Sequence, residues 1–149
     1  MGRQLSWTDP HCPVARAVDV IGDRWSLLIV RDAMDGARSF TDFQQRTGIA
    51  RNILADRLRR LVASGLIDQV EAPSGKRRVY ALTEAGKDLF PVIVTLRQWG
   101  ERHAFEAGEP HSVLVDDRGE AVPPLVPTAA DGRPLTSDTT SVDRAGESG

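Results

Sequence analysis

Cysteine is scarce in this chain, long apolar runs are missing, and so are the motifs of enzymes; each absence narrows the class. A lone cysteine among 149 residues, Cys12, excludes an intrachain disulfide and a zinc site built from cysteines. An unpaired thiol also fits a reducing compartment. No apolar stretch approaches the roughly 20 residues that cross a bilayer. The longest, Leu27-Leu28-Ile29-Val30 and Pro91-Val92-Ile93-Val94, are short and flanked by charges. The segment Met1-Gly2-Arg3-Gln4-Leu5-Ser6-Trp7 lacks the apolar centre of a signal peptide. A cytoplasmic chain with no membrane partner is expected. His11, His103 and His111 are too scattered for a metal site, and ordinary surface histidines are the default. There is no Gly-x-Ser-x-Gly, no glycine-rich phosphate loop and no His/Glu metal spacing, so neither an enzyme nor a cofactor is expected.

The formal net charge of −2 hides an asymmetry. Residues 1–108 carry 16 Lys+Arg against 13 Asp+Glu, whereas 109–149 carry three against eight. Within 46–78 the count is eight basic to three acidic. Local charge, not the whole-chain value, decides what binds there.

Apolar stripes alternate with turn signals between 12 and 108, which reads as one folded domain. Residues 109–126 have the pattern of a small hairpin around Asp116-Asp117-Arg118-Gly119. From Pro127 to Gly149 the composition shifts to Thr, Ser, Asp, Gly and Pro, and a disordered tail is expected because little apolar surface is available to offset ordering entropy.

Pro13 is favoured at a first helical position, so a helix is predicted from Cys12-Pro13 to Gly22. A second spans Arg24 to about Met34. Ser39 or Thr41 caps a short third helix from about Phe40 to Arg46. Thr47-Gly48-Ile49 is a turn, and a fourth helix runs from about Ala50 to Ser64 with Gly65 as its stop. Two extended runs, 66–71 and 78–82, flank Pro73-Ser74-Gly75-Lys76 and read as a hairpin. A last long helix from Thr83 to about Phe105 is predicted to kink at Pro91. The fold class is therefore mainly α, with a two-stranded β-wing.

The segment 40–82 carries the chemistry. At about 100° per residue, Leu54, Leu58 and Leu61 share one face of the fourth helix with Ala50 beside them. Asn52, Asp56, Arg59 and Ala63 lie opposite, with Ala55 at the margin. Helix, glycine turn and amphipathic helix make a helix-turn-helix, whose second helix fits the DNA major groove. Asn52 can pair with adenine, Arg59 with guanine or phosphate, and Asp56 can accept from cytosine or pair with Arg59 or Arg60. Arg51 and Arg57 suit phosphates or internal ion pairs, and the helix N-terminus offers free N–H groups to a phosphate. Alone, such a face is also what any solvated amphipathic helix shows. Lys76, Arg77 and Arg78 on the following hairpin favour a double-stranded DNA partner, because three cations there can straddle the backbone or enter the minor groove. A winged-helix protein-interaction module is the alternative, and it would carry an apolar outer face.

These residues resemble a known family. Cys12-Pro13-Val14, Asp19-Val20-Ile21-Gly22-Asp23-Arg24-Trp25-Ser26-Leu27-Leu28-Ile29-Val30-Arg31 and Arg38-Ser39-Phe40-Thr41-Asp42-Phe43 resemble HxlR-type winged helix-turn-helix regulators, relatives of the MarR type. Gly48-Ile49-Ala50-Arg51-Asn52-Ile53-Leu54, Ser64-Gly65-Leu66-Ile67 and Tyr80-Ala81-Leu82-Thr83-Glu84-Ala85-Gly86 continue the pattern over about 12–105. The resemblance implies a homodimer joined through the first helix and a long C-terminal dimerisation helix, bound to an inverted-repeat operator and mostly repressing.

Cys12 matches the position at which some members of that family sense oxidants or electrophiles. A thiol beside the free N–H groups of a helix start is of the kind oxidised or alkylated first. A small, partly buried apolar role is the plainer alternative. Trp25, Trp99, Phe40, Phe43 and Phe105 are expected in the dimer core, with a pocket for a small aromatic effector as the less favoured reading.

Overall fold

A computed structural model describes residues 6–75 and 78–144. Short side chains start most of its helices. Cys12 Sγ accepts from the Ala15 N–H (3.4 Å) at the head of α1 (Pro13–Ile21), and Asp23 Oδ1 accepts from the Ser26 N–H (2.9 Å) ahead of α2 (Arg24–Met34). Ser39 Oγ and the Asp42 carboxylate cap each other's backbone N–H groups, at 3.0 Å each, to open α3 (Phe40–Thr47). The fourth helix, α4 (Arg51–Ala63), has Ala50 at its cap and no capping side chain. Gly48, at φ +70, supplies the left-handed residue that ends α3 and turns the chain toward α4.

Leu54, Leu58 and Leu61 bury the predicted face of α4 against Ile29, Ala33, Phe43, Ile49 and Ile67. Each large apolar side chain so buried contributes about 1.5–3 kcal/mol before the cost of ordering the chain. The wing is the antiparallel pair β1 (Ile67–Glu71) and β2 (Arg78–Leu82), in register from Ile67 opposite Leu82 to Glu71 opposite Arg78. It is tied to the body where the Tyr80 N–H donates to the Arg38 carbonyl (2.7 Å) and the Tyr80 ring meets Phe43 edge-on. The architecture is a mainly helical winged helix-turn-helix.

The last predicted helix is two. A single turn, α5 (Glu84–Lys87), is followed by α6 (Phe90–His103). The Asp88 and Leu89 N–H groups close back on the Glu84 and Gly86 carbonyls, and Pro91, which has no N–H to offer, suits the first turn of a new helix better than the middle of an old one. The chain divides at this point into two compact units, one ending at Phe90 and one starting at Pro91, whereas the sequence reading carries one domain from 12 to 108.

In the second unit, the segment after α6 follows a defined course along that helix. Arg97 Nη1 donates to Ser112 Oγ (2.8 Å). Gln98 donates to the Pro123 carbonyl (3.0 Å) and accepts from the Leu125 N–H (2.8 Å), as a strand neighbour would. Over 109–126, Val115 bridges Ala121, the Asp116 N–H donates to the Glu120 carbonyl (2.8 Å) and the Val122 N–H to the Leu114 carbonyl (3.0 Å), around a turn whose Arg118 and Glu120 N–H groups bond to Asp116 Oδ1. Residues 127–144, read from composition as disordered, take two local devices here: a bridge between Thr128 and Pro134, and a 3-10 turn over Ser137–Thr139 capped by Thr136. The turn of that bridge is exposed, and within it Arg133 donates through its N–H (3.1 Å) and its Nε to the Asp131 carboxylate. Of the aromatic residues expected in a dimer core, Phe43 is fully buried inside the protomer, Trp25 and Phe40 are half-buried, and Trp99 and Phe105 are exposed.

Candidate nucleic-acid interface

With the leucines turned inward, Arg51, Asn52, Ala55, Arg59 and Ala63 reach solvent from one side of α4. Nothing in the first turn is spent on capping: among the described residues, the Arg51 and Asn52 N–H groups have no protein acceptor. This leaves donors and the positive end of the helix dipole free for an anion. The exposed Asn52 amide is likewise without a hydrogen bond to protein among the described residues. Arg51 lies over the Phe40 ring, its guanidinium carbon 5.0 Å from the centroid. That contact orients it at the junction of α3 and α4 while leaving its donors open.

Asp56 is differently placed. Its carboxylate accepts from Arg57 Nη1 (2.6 Å), pairs with Arg60 Nε (3.1 Å) and also holds Arg59 Nη2. The spacings i+3 and i+4 bring Arg59 and Arg60 onto it. Of the two roles the sequence allows, ion pairing is the one seen. Arg57 is an internal bridge and not a surface cation: its Nε also donates to Asp23 Oδ1 (3.2 Å). Burial works against the Asp23 charge, but the Ser26 hydroxyl and N–H, with Arg57, outweigh it and hold that carboxyl below its ordinary value. The sequence left Arg57 between phosphates and internal ion pairs; it did not name Asp23, because nothing in the spacing links positions 34 residues apart.

On the wing, Arg78 is exposed and opposite Glu71. Lys76 and Arg77, the other two predicted wing cations, lie outside the described residues. Cys12 belongs to a separate element, half-buried as the cap of α1. A cavity of about 530 Å³ in the first unit is lined by Met34, Arg38, Leu82, Lys87 and Phe90, among others. No group of three or more metal-ligating side chains occurs among the described residues, and no described helix is long and apolar enough to cross a membrane.

The model of HxlR-like helix-turn-helix proteins matches residues 20–107. The chain belongs to this family. An HTH-type transcriptional regulator of Mycobacterium tuberculosis is 48% identical over 91 residues, covering 60% of this chain and 58% of that relative. The chain thus spans well under two thirds of that regulator's length. Among solved structures, PA1607 superposes with a TM-score of 0.85 at 51% identity, over 89% of this chain and 94% of its own. The redox regulator HypR in its oxidized form matches with a TM-score of 0.57 at 32% identity, over 62% of this chain and 97% of its own. The HypR match therefore leaves more than a third of this chain uncovered, whereas the PA1607 match leaves about a tenth. The family match spans α2 to α6 and so takes in the helix-turn-helix and the wing.

Proposed function

We propose that the chain is a homodimeric, sequence-specific DNA-binding repressor that acts on an inverted-repeat operator in the cytoplasm. The observation that carries this reading is the open polar side of α4: Arg51, Asn52, Ala55 and Arg59 face solvent, with Asn52 unbonded among the described residues, while the opposite side is packed. A protein-interaction module would present apolar side chains there. Asn52 and Arg59 read bases. Arg51 and the wing residues Lys76, Arg77 and Arg78 take phosphates, and Asp56 acts through its arginines. No catalytic role is assigned.

Support for a second copy comes from apolar side chains left in water. Val14 and Val18, one helical turn apart on α1, are 70% and 56% exposed, and Val92, Leu96 and Trp99 form an exposed stripe on α6. Exposed apolar stripes of this kind mark association surfaces. Selection of bound duplexes from a random pool tests the function. It is expected to enrich two inverted half-sites whose centres lie about 10 base pairs, or a multiple, apart. A pool without enrichment contradicts sequence-specific recognition.

A thiol-based response is the second reading, favoured by the likeness to HypR and by the position of Cys12. Its Sγ caps the helix that carries Val14 and Val18, so oxidation or alkylation there alters the start of the proposed association face. A small-molecule effector in the dimer core is less favoured, since Phe43 is fully committed to the protomer's own core.

A further inference from the structure

Asp56 stands on the outward half of α4, from which side chains reach base edges, yet its carboxylate is already engaged. Oδ2 receives Arg57 Nη1 and Arg60 Nε, and Oδ1 receives Arg59 Nη2. A carboxylate offers about four lone-pair positions. Hydrogen bonds from Arg57 and Arg59 use two, and the ion pair with Arg60 crowds a third, which leaves little for a cytosine amine.

We infer that Asp56 determines specificity indirectly, by restraining the arginines of the reading helix from indiscriminate phosphate contact and by steadying Arg59 for a base. The inference rests on the DNA-binding reading of α4 and deepens it. The three arginines differ in how firmly they are held. Arg57 is 23% exposed and fixed between Asp56 and Asp23, and Asp23 is itself the cap of α2. It anchors the carboxylate to the body of the fold. Arg59 and Arg60 are 74% and 65% exposed and touch Asp56 through one nitrogen each. Their remaining donors face water, and exposed pairs of this kind exchange at little cost.

This asymmetry separates cognate from non-cognate DNA. On a cognate site, Arg59 keeps its bond to Asp56 while its free edge reads a guanine. On any other duplex no base rewards that pose. Phosphates engage Arg59 and Arg60 in full by drawing them off the carboxylate, which leaves Asp56 facing a polyanion. Asp56 therefore weakens non-cognate binding more than cognate binding. It is a positioning residue that acts through Arg59 and Arg60.

The test uses the full chain with Asp56→Asn and Asp56→Glu, and Asp56→Ser as the second neutral variant if the asparagine protein does not fold. Affinity is measured for a pool-selected operator duplex and for a random-sequence duplex across a salt series, with thermal unfolding as the check on folding. The neutral variant is expected to bind the random duplex about fivefold tighter. Its log–log salt slope on that duplex should steepen by about 1–2 per reading helix, close to one per arginine released. Operator affinity should change less, so discrimination falls, and Asp56→Glu should keep it near wild type. An equal gain on both duplexes with an unaltered slope overturns the inference in favour of simple repulsion. Lost preference at one base pair, again with an unaltered slope, overturns it in favour of direct base reading. A wild-type chain that prefers no duplex at all removes the DNA-binding reading itself, an outcome visible before any variant is made.

Discussion

Arg57 on α4 donates through Nε to Asp23 Oδ1 at 3.2 Å, and Asp23 is also the residue that starts α2 through the Ser26 N–H. One carboxylate thus fixes a helix end and the rotation of the helix proposed to enter the groove. The Asp23 carboxyl is held below its ordinary value of 3.8 despite the burial that opposes its charge, by Ser26 and Arg57. Asp42 is lowered as well, chiefly by the Ser39 and Arg38 N–H groups. A carboxyl whose folded-state value is depressed adds stability above its unfolded value, and that stability is lost as pH falls through the folded one. Urea midpoints measured from about pH 6 to pH 2 should therefore fall most steeply below about pH 4. Asp23→Asn, which keeps a capping oxygen but not the charge, should flatten that fall. An unchanged acid profile in the variant would show that the bridge contributes nothing.

Gly86 is required by space and not by backbone angle. A Cβ there would lie 2.2 Å from the Leu66 carbonyl oxygen and 2.9 Å from Leu82 Cδ2, where the Thr83 N–H also bonds to that same carbonyl (3.0 Å). Gly86→Ala should cost roughly 1–3 kcal/mol of stability and loosen the base of the wing. Denaturant unfolding measures the cost, and a change below about 0.5 kcal/mol would mean the contact relaxes freely.

Most of the first unit was legible in sequence because short-range rules dominate there. Pro13, Asp23-Arg24, Ser39 with Asp42, and Gly48 each mark a helix end by chemistry confined to a few residues, and leucines three and four apart mark the buried side of α4. The break before α6 was harder, since Pro91 is compatible with a kink or with a fresh start, and bonds from Asp88 and Leu89 settle it. The course of 109–144 was not legible, because Gln98 and Arg97 bind backbone and side-chain groups 15 to 27 residues away with no apolar period to announce them. In the site, Asp56 left two roles open, and its triple pairing with arginines appeared only in three dimensions.

Asn52 and Arg78 should fail in different ways when removed. Asn52→Ala is expected to cost about 1–3 kcal/mol on the preferred duplex and to relax preference at one base position. Arg78→Ala should weaken all duplexes alike and flatten the salt slope by about 0.9 per phosphate lost. Competition binding with single-base operator variants separates the two. Unaltered selectivity in Asn52→Ala would move the reading face elsewhere.

Peroxide or a quinone should release the wild-type protein from its operator if Cys12 carries the response, and Cys12→Ser should stay bound. Electrophoretic mobility shifts before and after treatment, with thiol labelling of Cys12, measure this directly. Equal release of both proteins would end the thiol reading and leave the DNA-binding one intact.

Salt dependence is the most direct measure of whether α4 and the wing meet a duplex. The affinity of the wild-type chain for a pool-selected duplex and for a random one should be followed from about 50 to 300 mM salt. The logarithm of affinity should fall linearly with the logarithm of salt on both, with the selected duplex held about a thousandfold or more tighter. Affinity indifferent to salt, or equal for the two duplexes, would contradict sequence-specific binding through this face.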